Sequence, residues 1–103
     1  MGKTQPELQL ELETLIGNRN VYYQPPSNIK MQYPCIRYTW IKIKPDYANN
    51  FIYNYVKAYE VTVVDTKKNS DIPEKLLLHF PYISLNKIYS SDGLWHFAFT
   101  LYY

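Results

Sequence analysis

The sequence is poor in the residues that cross-link chains and bind metal ions. Its 103 residues include one cysteine, Cys35, and two histidines, His79 and His96. A single thiol cannot form an internal disulfide, and one thiol with two imidazoles is too few for a closed structural zinc site. The sequence therefore predicts no metal and no other cofactor.

Glycine, long apolar runs and a large charge of one sign are also scarce. The three glycines are too scattered to form a glycine-rich phosphate-binding loop. No apolar run approaches the ~20 residues that cross a bilayer, and we do not expect Met1–Thr4 to begin a secretory signal. A net charge of +2 is small for a protein that mainly coats phosphates. Because 47% of the residues are apolar and 19% are charged, we expect one soluble domain over residues 1–103.

Tyrosine is the residue in excess. Twelve tyrosines, two tryptophans and four phenylalanines are more aromatic side chains than one small core can bury. We therefore expect some of them to be exposed at an interface. The basic charge is concentrated in residues 21–68, which carry a net +4, whereas residues 1–20 and 69–103 each carry −1.

The apolar periodicity and the turn signals predict the element order α-β-β-β-α-β-β. A helix with the apolar stripe Leu8, Leu12, Leu15 and Ile16 follows Thr4, which forms a capping box with Glu7. A second, short helix follows Asp71 as N-cap and ends before Pro81. Strands are expected at residues 21–23, 35–44, 51–65, 83–89 and 94–103, with turns at 45–50 and at Asp92-Gly93. This pattern is typical of a single-domain α+β fold with a largely antiparallel sheet.

The apolar positions of the second strand change faces in its middle. Ile36, Tyr38 and Trp40 share one face, whereas Ile41 and Ile43 fall on the other. Such a switch predicts a β-bulge after Trp40.

No group of residues predicts a catalytic site. Cys35 follows Pro34 inside an apolar strand, where a lone cysteine behaves as a small hydrophobe rather than as a nucleophile. The only acidic cluster consists of Asp65, Asp71 and Glu74, and the last two already serve a helix start. We therefore expect the protein not to be an enzyme.

Basic and aromatic residues alternate along the hairpin of residues 35–65. The set is Arg37, Tyr38, Trp40, Lys42, Lys44, Tyr53, Tyr55, Lys57 and Tyr59. Rings that stack on bases and cations that bind phosphates are what a single-stranded nucleic-acid-binding module needs. The same pattern fits an edge hairpin kept soluble by lysines, and it also fits a surface between subunits.

Several strings, in this order and spacing, resemble small neck or tail proteins of tailed bacteriophages, of the tail-terminator or head–tail joining kind. The strings are Tyr22-Tyr23-Gln24-Pro25-Pro26, Tyr33-Pro34-Cys35-Ile36, Tyr59-Glu60-Val61-Thr62-Val63-Val64-Asp65, Ser70-Asp71-Ile72-Pro73-Glu74-Lys75-Leu76, Ser91-Asp92-Gly93-Leu94 and Phe97-Ala98-Phe99-Thr100-Leu101-Tyr102-Tyr103. Together they cover roughly residues 21–103. The family carries further acidic residues after the aspartate that corresponds to Asp65, whereas this chain has Lys67 and Lys68.

The resemblance implies a virion structural protein of the neck or tail, present in the host cytoplasm during assembly. It implies a ring of identical subunits, usually six, that caps the tail tube and meets the head connector or stopper protein. DNA is then a partner only as the genome that passes through the ring, and no membrane is involved.

The candidate interface residues come from the aromatic strands, the rigid proline loop, the basic turn and the C-terminus. They are Tyr22, Tyr23, Pro25, Pro26, Tyr38, Trp40, Tyr53, Tyr55, Lys67, Lys68, Tyr102 and Tyr103. A closed ring needs two unlike surfaces on each subunit. We expect one edge from the hairpin of residues 35–65 and the other from the C-terminal strand, Leu94–Tyr103. The alternative is that both edges are internal to one monomeric sheet and that Tyr103 completes its core.

Overall fold

The protein folds into two helices and five strands in the predicted order. The computed structural model describes residues 4–26, 30–48 and 51–103, with side chains described outside 43–48 and 51–56. The elements are α1 (Gln5–Ile16), β1 (Val21–Tyr23), β2 (Cys35–Ala48), β3 (Phe51–Asp65), α2 (Ile72–His79), β4 (Ile83–Ser91) and β5 (Leu94–Tyr102). The predicted α+β class is confirmed.

The five strands form one sheet in the order β1-β2-β3-β5-β4. Only β1 and β2 pair in parallel; the other neighbours are antiparallel. The prediction that the C-terminal strand is an edge is wrong, because β5 pairs with β3 on one side and with β4 on the other. The edge on this side of the sheet is β4.

Both helices contribute to a single apolar core on one face of the sheet. Leu8, Leu12 and Ile16 of α1 are buried, as the helical spacing predicts, whereas Leu15 is only partly buried at the margin. Helix α2 contributes Ile72 and Leu76. The sheet contributes alternate residues of its strands, namely Val21, Ile36, Tyr38, Tyr59, Val61, Val63, Phe97, Phe99 and Leu101.

The two helix starts differ from each other. At α1, the Glu7 carboxylate accepts hydrogen bonds from the Thr4 backbone N–H (3.1 Å) and hydroxyl (2.9 Å), and the predicted capping box is present. At α2, Asp71 is the N-cap residue as predicted, but its side chain makes no capping hydrogen bond. Its carboxylate instead lies 3.6 Å from the Lys75 ammonium, one helical turn away.

Strand β2 continues four residues beyond its predicted end. The predicted bulge is confirmed, since the register with β3 shifts between Trp40 and Lys42. Residues 45–48, predicted as a turn, remain paired with β3, and Pro45 lies opposite Tyr55. A proline is tolerated there because β2 is an edge strand at this point, so a missing N–H on its outer side costs no ladder hydrogen bond.

The last hairpin turns where the sequence predicts. Asp92 and Gly93 connect β4 to β5 with φ angles of 54° and 75°. Two consecutive left-handed residues match the twist of an antiparallel pair, which explains Gly93 and the short polar side chain before it. Strand β4 begins at the predicted Ile83 and extends two residues past the predicted end, to Ser91.

Replacement of Leu12 by alanine tests the packing of α1 on the sheet. The Leu12 side chain is fully buried, so Leu12→Ala should lower the free energy of unfolding by about 2–5 kcal/mol. Leu10→Ala is the matched control, because Leu10 lies on the same helix with 65% of its surface exposed and should cost less than about 0.5 kcal/mol. Equal costs in chemical denaturation would show that α1 is not held on the sheet.

Candidate assembly surface

The paired strands β2 and β3 project beyond the rest of the sheet. At one side, β1 ends where the Gln24 N–H donates to the Tyr38 carbonyl (2.8 Å). At the other, β5 ends where Lys57 and Tyr103 exchange two backbone hydrogen bonds of 3.3 and 2.9 Å. Past these points, residues 41–48 and 51–56 pair only with each other among the residues described. We call these two segments, together with Lys57 at their junction with the sheet, the arm.

The arm makes the molecule elongated. The principal extents are 51 × 26 × 23 Å and the radius of gyration is 14.6 Å. A compact domain of about 100 residues has a radius of gyration of about 13 Å. The longest extent, 51 Å, is greater than a single layer of helices on one sheet requires.

The arm is also apolar. Nine of its fifteen residues are apolar: Ile41, Ile43, Tyr47, Ala48, Phe51, Ile52, Tyr53, Tyr55 and Val56. Its charged residues are three lysines, Lys42, Lys44 and Lys57, and one aspartate, Asp46. A two-stranded ribbon with this composition has no third strand to pair with among the described residues.

The base of the arm is ordered by Trp40. Its indole N–H donates to the Lys42 carbonyl at 3.0 Å, across the bulge, and the Lys57 ammonium lies 5.6 Å from the ring centroid. Trp40 and Ile41 nevertheless remain 44% and 48% exposed. The candidate Trp40 is thus a fixed, accessible aromatic surface at the root of the arm.

Tyr38 is not a surface residue, and its assignment to the candidate interface is wrong. It is 1% exposed, and its hydroxyl accepts from the Gln5 amide (2.7 Å) and donates to Gln9 (2.5 Å), both on α1. Tyr59 is buried to the same degree beside it. Burial raises the pKa of both phenols, so both stay protonated core groups.

The burial of these two tyrosines weakens the predicted nucleic-acid surface. Its row of stacking rings loses Tyr38 and Tyr59, and Arg37 pairs with Thr62 on the opposite face of the sheet from Tyr38. Among the rings of this set whose side chains are described, Trp40 is the one that is exposed. Tyr53 and Tyr55 lie in the part of β3 whose side chains are outside the described set.

The predicted loop candidates lie at the other end of the sheet or beside β1. Tyr22 and Tyr23 are half-buried; the Tyr22 hydroxyl accepts from the Gln32 N–H (3.3 Å), and Tyr23 packs on Tyr38 at 4.9 Å between ring centroids. Pro25 is half-buried, and Pro26 is exposed.

The basic turn carries two exposed lysines. The Lys68 ammonium lies 5.2 Å from the centroid of the Trp95 ring. Lys67 donates its backbone N–H to Asp65 (3.3 Å), and its side chain remains exposed. The turn lies at the end of β3 opposite the arm, so the structure does not bring Lys67 and Lys68 together with Trp40.

The C-terminal tyrosines are integrated into the fold. Tyr102 is half-buried and donates its backbone N–H to the Tyr82 carbonyl (2.9 Å). Tyr103 packs against Phe80, and its hydroxyl donates to the Glu11 carboxylate. The other oxygen of Glu11 lies 2.8 Å from Nε2 of His79. Glu11 therefore links α1 to α2 and to the chain end, a contact that sequence reasoning missed.

A shallow groove of about 240 Å³ opens on the outer side of the two helices. It is lined by Leu10, Glu11, Thr14, Leu15 and His79. Leu10 is 65% exposed, and Leu78, next to His79, is 82% exposed. Helix α1 carries three glutamates and no basic residue. Of these glutamates, Glu11 lines the groove, and its carboxylate contacts His79 and Tyr103.

The Cys35 thiol and the His96 imidazole do not lie together. Cys35 and His96 are both in register with Val64 of β3, one on each side, so two strand spacings, or about 10 Å, separate them. Burial raises the pKa of the Cys35 thiol to about 11 despite the opposing effect of Arg37. No group of three metal-binding side chains lies together in the part of the chain that the structure describes.

His96 is held in a stacked pair. Its ring lies parallel to Tyr89 at 4.7 Å between centroids, and its buried Nδ1 has no hydrogen-bond partner. Burial, with the positive charge of Arg37, lowers the pKa of the imidazole. The His96 ring packs against Tyr89 on the sheet.

The carboxylates beside the turn between β3 and α2 are engaged locally. A cleft of about 480 Å³ is lined in part by Asp65, Lys67, Asp71 and Lys75. Asp65 accepts from the Lys67 backbone and from the Thr66 hydroxyl (3.4 Å), while Asp71 pairs with Lys75. These contacts fix a turn and a helix start and do not form a paired-carboxylate site.

Comparisons with known proteins return no match: no family model, no curated protein and no solved structure is significantly similar to the chain. None of the described helices is long and apolar enough to cross a membrane.

The thiol of Cys35 should be inert in the folded protein. Because it is fully buried and its pKa is raised, reaction with a disulfide reagent at pH 8 should be slow in buffer and complete within seconds to minutes in denaturant. The measurement is the absorbance of the released thiolate. Rapid labelling of the native chain would contradict the packing described for β2.

Proposed function

We propose that the protein is a non-enzymatic structural protein of a tailed-phage particle, a tail terminator whose ring caps the tail tube and joins it to the head connector. The observation that carries the assembly role is the arm, an apolar two-stranded ribbon that extends beyond the sheet. The assignment to a phage neck or tail is supported by the sequence resemblance.

The arm is expected to gain stability from a partner. An isolated two-stranded hairpin is at best marginally stable in water, and it gains stability from a third strand or from a packed layer. Contiguous exposed apolar surface in a soluble protein commonly marks an interaction site. Trp40 and Ile41, about half exposed at the root of the arm, begin such a surface.

The subunit also offers unlike surfaces, as a closed ring requires. The arm is one of them. The other side of the sheet ends in β4, whose outer edge pairs with no described strand and which exposes Leu85 and Ile88. Head-to-tail contact between unlike surfaces closes into a ring when the rotation between neighbours fits.

The strings that resemble phage neck and tail proteins lie mainly in elements that determine this fold. Residues 59–65 form the inner part of β3, residues 97–102 belong to β5, and residues 91–94 form the turn before it. The resemblance therefore concerns the scaffold, and the arm lies between the matching strings.

The alternative function is binding of single-stranded nucleic acid. One observation supports it, namely the exposed Trp40 ring with the Lys57 ammonium 5.6 Å from its centroid. One exposed ring is a small platform, since such proteins stack successive bases on several aromatic side chains.

Localisation in purified particles tests the proposed function. Particles released by the producing host should contain the chain, and electron cryomicroscopy should place a ring of it at the head-proximal end of the tail. Antibody against the chain should label that end and no other. Particles that lack the chain, or label on the head shell or the tail tip, would contradict the proposal.

Binding of single-stranded nucleic acid tests the alternative. A nucleic-acid-binding module should bind single strands at physiological salt, with an affinity that falls steeply with salt and weakens when Lys42 is neutralised. The terminator proposal predicts that the chain is retained in particles whatever its affinity for free nucleic acid.

A further inference from the structure

We infer that two copies of the free chain pair through two strand edges, so that residues 51–56 of each copy lie along β4 of the other. This contact goes beyond the proposed function, because a subunit in a ring would have to release a partner that occupies both surfaces.

Several stretches of strand have a side that no described strand covers. They are β1, the part of β2 beyond β1, residues 51–56 of β3, and β4. An uncovered strand edge presents unpaired N–H and C=O groups, and it is a template for pairing with another chain.

Prolines distinguish the two sides of the sheet. On one side, β1 has three residues and is followed by Pro25-Pro26, and β2 beyond it contains Pro45. A proline has no N–H to donate, so prolines protect edge strands from pairing. On the other side, residues 51–56 and β4 contain no proline. These two edges are therefore the ones suited to pairing.

The backbone of β3 is oriented for a further strand. Lys57 exchanges two backbone hydrogen bonds with Tyr103, on the side of β5. Because the bonded groups alternate along an antiparallel pair, Tyr55 presents its N–H and C=O to the same side, where no described strand follows. A strand added there would continue the ladder between β3 and β5, in line with β5.

Strand β4 exposes an apolar row next to its free edge. Leu85 and Ile88 are in register with Phe99 and Phe97, so they lie on the face of the sheet that carries the helices. The register shift between Leu85 and Lys87 is what brings two residues three positions apart onto one face. They are 38% and 50% exposed, and a strand paired with β4 would cover them.

The one charged residue of β4 does not belong to this row. Lys87 is in register with Ala98, on the helix-free face, where its ammonium lies 5.0 Å from the centroid of the Tyr89 ring. The row on the helix side is therefore uncharged.

A second copy supplies the strand that each edge lacks. Both β3 and β4 are antiparallel to β5, so antiparallel pairing of residues 51–56 with the partner's β4 needs a half-turn about the normal of the sheet. The same half-turn lays the partner's arm along β4 of the first copy. One isologous contact therefore covers both edges, with the helices of both copies on one face.

The lengths of the two edges are compatible. Residues 51–56 extend roughly 20 Å at ~3.4 Å per residue, and the nine residues of β4 are long enough to cover them. An unrelated extended segment would pair with one edge and leave the other open, which is why a second copy is the better partner.

Sedimentation velocity of the full-length chain over a concentration series measures the self-association. We expect a reversible equilibrium between monomer and dimer. A chain that stays monomeric up to its solubility limit would leave these edges to a different protein and overturn the inference, as would larger species in place of the dimer.

A lysine in the apolar row tests the β4 edge. Ile88→Lys should raise the dissociation constant of the dimer at least about tenfold, because a charged residue at an edge opposes pairing. Leu10→Lys makes the same change at an exposed apolar position of α1, outside the contact, and should change the constant less than about twofold. Equal effects of the two variants would overturn the inference.

A proline tests the β3 edge. Tyr55→Pro removes an N–H that faces the uncovered side of β3, and it should also weaken the dimer at least about tenfold. Ile43→Pro is the matched control, because Ile43 lies opposite Lys57 and has its N–H on the outer side of β2. It should leave the dimer intact, and equal weakening by both prolines would contradict the assignment of the β3 edge.

Mixing Tyr55→Pro with Ile88→Lys shows which surfaces meet. Each variant alone loses both contacts of the two-fold pair. A mixed pair keeps one contact, between the unchanged arm of one chain and the unchanged β4 of the other, so the mixture should dimerise more than either variant alone. No such gain would overturn the pairing of the arm with β4. If Tyr55→Pro does not fold, the comparison of Ile88→Lys with Leu10→Lys still decides the contact.

The dimer and the phage role can fail separately. A ring in particles, formed by a chain that is monomeric in solution, would keep the proposed function and remove the dimer. A dimer with these variant effects, in a chain that particles lack, would keep the dimer and remove the phage role.

Discussion

The pairing of β2 with β3 is the interaction on which the rest of the structure depends. Its inner half forms the middle of the sheet, where Ile36, Tyr38, Val61 and Val63 face the helices. Its outer half is the arm. A shift of one residue in this register would move those core side chains to the helix-free face, so one ladder determines both the core and the projecting surface.

Sequence reasoning predicted the local elements well where one face of a strand or helix is buried. The alternation around Val61 and Val63 and the stripe Leu8, Leu12 and Ile16 report burial directly, because periodicity follows from having one apolar side. The Asp92-Gly93 turn was predictable for a separate reason, since few residue pairs accept two left-handed conformations.

What the sequence did not predict depends on contacts between distant segments. Strand order is not encoded in local periodicity, so the edge was assigned to β5 rather than to β4. Pro45 and its polar neighbours resemble a turn. They stay in a strand because no further strand among the described residues pairs with β2 at this point. The link from Glu11 to His79 and Tyr103 spans 68 and 92 residues, beyond any local signal.

The candidate surface was only partly predictable, because the burial of each ring also depends on contacts between distant segments. The excess of aromatic residues correctly indicates more rings than the core holds, and Trp40 is exposed as expected. The excess alone does not show which rings are exposed. Tyr38 alternates with Ile36 on the apolar face of β2, and its hydroxyl finds partners in Gln5 and Gln9, so a tyrosine there completes the core.

The central claim is that the arm pairs with no further strand among the described residues of the single chain and gains a partner on assembly. Amide hydrogen exchange along β3 tests this most directly, because residues 51–57 lie in the arm and residues 58–65 lie inside the sheet. We expect the first segment to exchange much faster than the second in dilute solution, and to become protected when the chain is concentrated or assembled. Equal, slow exchange of both segments in the dilute chain would contradict the account.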